Sequence, residues 1–273
     1  MITTAERPAR LATIGWLLLA VSLCGGRPAD AVEPLSQAHA HNDYLHPRPL
    51  SDALDHGFTS VEADLFLVDG ELLVAHTRAE LDAERTFRTL YLEPLRQRVR
   101  AGGGQVYPGS DGPFRLLIDI KSDAEATYEE IHRQLAEYAD IFTAVRDGRV
   151  EPGAVEAVIS GNRPLEKMQV QDLRYAGVDG RLTDLDADHP VHLMPLISDR
   201  WGSHFRWDGR GEIDSRERDR LETFVRRAHA GGRRIRFWAT PETVAAWEVL
   251  RDVGVDHINT DDLAGLERFL RGD

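Results

Sequence analysis

Ser60-Val-Glu-Ala-Asp-Leu-Phe-Leu-Val-Asp-Gly-Glu-Leu-Leu-Val-Ala-His76 is the stretch that decides the fold. Val61 to Val68 is an apolar, β-branched-rich run, Asp69-Gly70 is a strong turn signal, and Leu72 to Ala75 is a second short run ending at His76. Glu62 and Asp64 are two apart on a strand, so their carboxylates face the same way. Two acids inside an apolar run are costly to bury unless a cation or a proton compensates them. With His76 arriving beside them, they form a candidate site for a hard metal ion flanked by a proton-transfer group. The bland alternative is an edge strand with an acidic outer face.

On either side of this stretch, strand and helix patterns alternate. Gln37–His41 reads as a strand, 49–56 as a helix stopped by Gly57, 89–101 as a helix stopped by three glycines, and Phe114–Lys121 as a strand. Asp123 caps a helix expected to run to about Phe142. Val155–Ser160, Gly180–Asp184 and His192–Ser198 follow as strands, the middle one the weakest, with a helix opening at Pro164. Trp201–Gly211 reads as a loop, 214–230 as an Arg-rich helix whose charged side is a solvated face, and 233–239 as a strand. A helix over 241–253, a strand over 257–261 and a helix over 263–270 close the chain. About eight βα units in one domain favour an α/β fold of the (β/α)8 TIM-barrel type over an open doubly wound sheet. Glycine-rich dinucleotide and phosphate-loop motifs are absent from the sequence.

Composition narrows the partners. A net charge of −13 argues against nucleic acid and against electrostatic docking on anionic lipid. Residues 1–31 read as a secretory signal: Arg7 and Arg10, an apolar core from Leu11 to Leu23, and Ala29-Asp30-Ala31 as the cleavage site. The domain then spans 32–273, exported to the periplasm or secreted, and the apolar run is too short for a stable membrane span. Lipid anchoring through Cys24 is disfavoured by the bulky Leu23 before it. Cys24 is the sole cysteine, so the domain has neither a disulfide nor a cysteine metal ligand.

A parallel barrel builds its active site at the carboxyl ends of its strands. Around that rim the pattern gathers His39, His41, Asn42, Glu62, Asp64, His76, Asp119, Lys121, Asn162, Arg163, Trp238, Asn259, Asp261 and Asp262. Oxygen ligands from Glu62, Asp64 and Asp119 suit Mg²⁺ or Ca²⁺ better than Zn²⁺. Such an ion offsets phosphodiester charge, Lys121 adds a second positive contact, and His41 and His76 supply one acid and one base. Asn42, Trp238 and Asn259 are the remaining candidate substrate contacts. Arg163 reads mainly as a solvated loop residue, with a phosphate contact as the lesser reading, and His39 as a neighbour of His41 or the participant in its place.

These motifs resemble the glycerophosphodiester phosphodiesterase family, within the superfamily that includes phosphatidylinositol-specific phospholipase C. The likeness is carried by His41, Glu62-x-Asp64, His76 after a hairpin, Asp119-x-Lys121, Trp238 and Gly254-Val-Asp-His-Ile-Asn-Thr-Asp261. His41-Asn42-Asp43-Tyr44 and Gly161-Asn162-Arg163-Pro164 also resemble the altered inheritance of mitochondria protein 6-like branch. The resemblance implies a metal-dependent phosphodiester hydrolase acting on a glycerophosphodiester or a phospholipid headgroup ester, with small-molecule or lipid substrates. This chain departs from the family where the usual His-Arg-Gly is His41-Asn42-Asp43, which removes a phosphate-contacting arginine. Asp119 replaces the usual glutamate, as in sphingomyelinase D-like phospholipases. A lyase of that kind and a non-catalytic binding protein are the alternatives; a carboxylate-pair glycosidase is a distant third.

Overall fold

The computed structural model describes Met1, Ile2 and residues 32–272; the signal-peptide reading and Cys24 lie outside the described residues. Residues Val32–Asp273 form one unit. Its frame is eight parallel strands: β1 (Leu35–Ala40), β2 (Phe58–Val68), β3 (Phe114–Ile120), β4 (Val155–Gly161), β5 (Ala176–Gly180), β6 (Leu196–Arg200), β7 (Arg234–Trp238) and β8 (His257–Thr260). Each pairs with the next, and β8 pairs with β1, which closes the barrel. The helices are α1 (Ser51–Asp55), α2 (Glu93–Ala101), α3 (Ala124–Glu137), α4 (Leu165–Gln169), α5 (Trp201–His204), α6 (Ser215–Ala230), α7 (Val244–Asp252) and α8 (Leu263–Arg271). The expected (β/α)8 barrel is the fold.

Alternation along the strands assigns their faces. In β3, Leu116 and Ile118 join the large apolar core, while Leu117 forms a separate buried cluster with Val158 and Leu196. Arg115 and Asp119 share the Leu117 face, which is the barrel interior. β2 outgrows the barrel: past Leu65 it pairs antiparallel with Glu71–Val74 across the Asp69-Gly70 turn, both of whose residues have positive φ. That arm carries His76 back to the rim.

Four expectations need correction. The fifth strand is Ala176–Gly180, and Leu182–Asp186 is a 3₁₀ turn. The strand carries a weak apolar signature because a Cβ on Gly177 would stand 2.6 Å from the Pro195 ring. The sixth strand starts at Leu196 rather than His192, because Pro195 lacks the N–H that a ladder needs. α3 stops at Glu137, well before Phe142, and Trp201–His204 is a helical turn within the expected loop. Arg88–Leu92 is π-helical and hands over to α2, with Pro94 in its first turn. A small antiparallel sheet of Ala144–Arg146, Arg149–Glu151 and Leu173–Arg174 stands outside the expected βα pattern.

Candidate active site

The β2–β3 register sets Asp64 directly beside Asp119, with Glu62 two residues back on the same face. Carboxylate oxygens of Glu62, Asp64 and Asp119 all lie within 4.8 Å of one another. Lys121 Nζ bridges the rim pair, 3.0 Å from Asp64 and 3.2 Å from Asp119. Among the described residues, buried Asp64 Oδ1 has no hydrogen-bond partner, and Asp119 Oδ1 has only the ion-pair approach of Lys121. Orphaned buried oxygens beside a third carboxylate are what a hard cation would satisfy, so this donor set fits Mg²⁺ or Ca²⁺.

Charges in this cluster are set unequally. Burial alone would lift the Glu62 carboxyl, but Arg236 and His39 hold it well below the usual carboxylate range. Arg236 Nη1 donates to Glu62 at 2.9 Å and to Asn259 Oδ1 at 3.2 Å, deep in the barrel. Burial raises Asp64, and the Glu62 charge adds to it. Burial pushes Asp119 up to about 6, with Lys121 opposing and Asp64 and Glu62 reinforcing. A positive ion would remove that mutual repulsion.

Both candidate histidines stand on this rim. His41 Nδ1 is 2.8 Å from Asp261 Oδ1. Burial pulls His41 down, but the Asp261 hydrogen bond and the Glu62 charge outweigh it, so the imidazole titrates above its ordinary value. His76 Nδ1 is 3.0 Å from Asp64 Oδ2, and also 3.0 Å from the Tyr44 hydroxyl. Tyr44 is the hub: its hydroxyl lies 2.6 Å from both Asp64 Oδ2 and Asn42 Oδ1. Asn42 Nδ2 is in turn 3.1 Å from His41 Nδ1, so one chain of contacts links the two histidines. The 3₁₀ turn Asp43–Leu45 holds this hub, anchored where buried Asp43 accepts from Leu50 N–H and the Tyr91 hydroxyl.

The other candidates divide. Lys121 is in the cluster, and Trp238 lies half-buried at the end of β7 under the Arg181 guanidinium, 5.0 Å from its ring centroid. Asn259 is buried and engages Arg236. His39 belongs to the interior: it contacts Ser60 and Arg236, and burial and then the Arg236 charge lower it to about 3. Asp262 caps α8. Sequence reasoning missed Tyr44, Arg236 and Arg181, and gave Asp261 no partner. Arg236 had a signal: it is a charge between Ile235 and Phe237 in a strand core.

Comparison with known proteins bears on the family and the fold. Residues 29–177 match the AIM6-like phosphodiesterase domain, and residues 234–264 match the glycerophosphoryl diester phosphodiesterase family. The chain is 29% identical to altered inheritance of mitochondria protein 6 of Eremothecium gossypii, over 87% of this chain and 70% of that protein. Its identity to a homologue from Arthroderma benhamiae is 27%, covering 82% of this chain and 81% of that one. A glycerophosphodiester phosphodiesterase from Agrobacterium tumefaciens superposes with a TM-score of 0.51 at 15% identity, covering 88% of this chain and all of that one (100%). That likeness speaks for the fold.

Proposed function

We propose a function for a chain that belongs to the AIM6-like phosphodiesterase family: divalent-cation-dependent hydrolysis of a glycerophosphodiester or phospholipid headgroup ester. A phosphodiester-hydrolase type of function is what family and fold support. The finer reading is carried by the Glu62, Asp64 and Asp119 carboxylates meeting within 4.8 Å with orphaned oxygens. Those three residues would hold Mg²⁺ or Ca²⁺, which supplies charge neutralisation for the phosphodiester when bound.

The chain's own residues do the rest. His76 donates a hydrogen bond from Nδ1–H to Asp64, which leaves Nε2 with a lone pair to accept the proton of the attacking oxygen. His41, raised by Asp261, holds a proton to donate to the leaving oxygen. Tyr44, whose phenol burial and then the Asp64 charge push well up, stays protonated and fixes Asp64. Lys121 keeps Asp64 and Asp119 together before the ion arrives.

The test is hydrolysis of glycerophosphocholine and lysophosphatidylcholine by the wild type, His76→Ala and Glu62→Ala with Mg²⁺ or Ca²⁺. Metal-dependent turnover lost in both variants supports the reading, and unchanged activity in both ends it. Product analysis on the two substrates separates headgroup hydrolysis from lyase chemistry.

A further inference from the structure

Two arginines stand on the rim beyond the carboxylate cluster. Gly161 ends β4 at φ +66, pressed so closely on Asp119 that a Cβ would overlap its Oδ1. Two residues later comes Arg163, whose Nη1 donates to the Asp179 carbonyl. Arg181, just past β5, sends its own Nη1 to the same carbonyl oxygen at 3.3 Å, to Asp179 Oδ2 at 2.9 Å and to Gly180 O at 3.0 Å. Two guanidiniums therefore share one backbone acceptor, and their repulsion, after burial, lowers Arg163.

Two like charges held together need a reason. The buried Asp179 carboxylate accepts from Arg181 and from the Ser160 and Ser198 hydroxyls. Asp184 Oδ2 accepts the backbone N–H of Arg181. Among the described residues, every hydrogen bond from these two guanidiniums runs through Nη1. Each is left with its Nε–H and Nη2 side, the fork that grips an oxyanion with two parallel hydrogen bonds. Arg181 is fixed by the Trp238 ring, so its fork is oriented before a ligand arrives. Lys121, by contrast, is already engaged by Asp64 and Asp119.

We propose that Arg163 and Arg181 form an oxyanion clamp that takes a second anionic group of the ligand, a phosphate monoester or a carboxylate. The Glu62, Asp64 and Asp119 cluster is the proposed seat of the reacting phosphorus, and β4, which leads to Arg163, pairs directly with β3, so the clamp stands beside that seat where a neighbouring anionic group of the same ligand would lie. That this anion is additional to the reacting phosphodiester rests on the proposed phosphodiesterase function; the clamp itself does not. It makes the favoured substrate a diester with a further negative charge on one of its alcohols.

The experiment needs no turnover. Inorganic phosphate and acetate are titrated calorimetrically, in EDTA, into the folded wild type, Arg163→Gln, Arg181→Gln and Lys121→Met. The expected result is that at least one anion binds the wild type, that both arginine variants weaken it fivefold or more, and that Lys121→Met weakens it less than fivefold. Phosphate alone binding marks a phosphomonoester; acetate binding as well marks a carboxylate-tolerant clamp. Absence of binding to the wild type, or a loss under fivefold in Arg163→Gln, overturns the proposal. Arg163→Gln decides even where Arg181→Gln fails to fold, because Arg163 donates only to a backbone carbonyl among the described residues. Failure of the phosphodiesterase reading would leave these titrations unaltered.

Discussion

Arg236 Nη1 lies 2.9 Å from Glu62 Oε2, and both side chains are buried inside the barrel. β7 and β2 bring this pair together across the interior, and the guanidinium keeps Glu62 ionised where burial would otherwise neutralise it. Removing one partner of such a pair strands the other charge. Arg236→Gln is expected to lose about 3–5 kcal/mol of stability in guanidinium unfolding. Glu62→Gln with Arg236→Gln should cost less than the sum of the two single changes. Additive losses would mean that the residues act independently.

Asp43 gives a pH signature. Burial pushes its carboxyl up to about 7 against two hydrogen bonds that favour the charged form. Its folded-state value lies above the unfolded one, so its contribution is fully present below about pH 4 and is lost as pH rises through about 7. Asp43→Asn keeps an oxygen for Leu50 and Tyr91 but cannot ionise. The wild-type Tm should fall relative to that variant between pH 4 and 7. Parallel Tm curves would count against this.

Gly161→Ala tests how the β4 terminus shapes the cluster. Alanine there meets both a left-handed backbone at φ +66 and the Asp119 carboxylate. Gly103, at φ +67 with nothing within 4 Å, is the control for strain alone. The left-handed backbone alone should cost about 1–2 kcal/mol in each, and Gly161→Ala should lose more because its Cβ also meets Asp119 and the Ile120 carbonyl. Mn²⁺ affinity, read by calorimetry, should fall only in Gly161→Ala, and equal affinity in the two variants would place Asp119 outside the ion site.

Asp261→Asn should move the pH–rate profile. Asp261 is the largest of the effects that raise His41, so without its charge the imidazole loses its proton at lower pH. If His41 is the acid, the descending limb shifts downward. A shift of the ascending limb would reverse the roles of His41 and His76.

Much of this was legible because the decisive contacts are local in sequence or in register. Glu62 and Asp64 share a face by simple alternation, and Asp69-Gly70 returns the chain to deliver His76. Asp119 joins them because neighbouring parallel strands end together at the rim. β5 was misplaced because Gly177 and Gly180 lie tight against Pro195 and Met194, and small residues do not announce a strand. Arg236, Tyr44 and Arg181 escaped notice for a different reason. Their partners are set by barrel closure and by side-chain length, and neither has a periodicity to read.

On the proposed function, Glu62, Asp64 and Asp119 enclose a cation. Anomalous scattering from crystals soaked in Mn²⁺ tests it most directly. The expected result is one strong peak among those carboxylates, about 2.0–2.6 Å from an oxygen of each. A saturating soak that leaves the cluster without a peak, Lys121 still bridging Asp64 and Asp119, would contradict it.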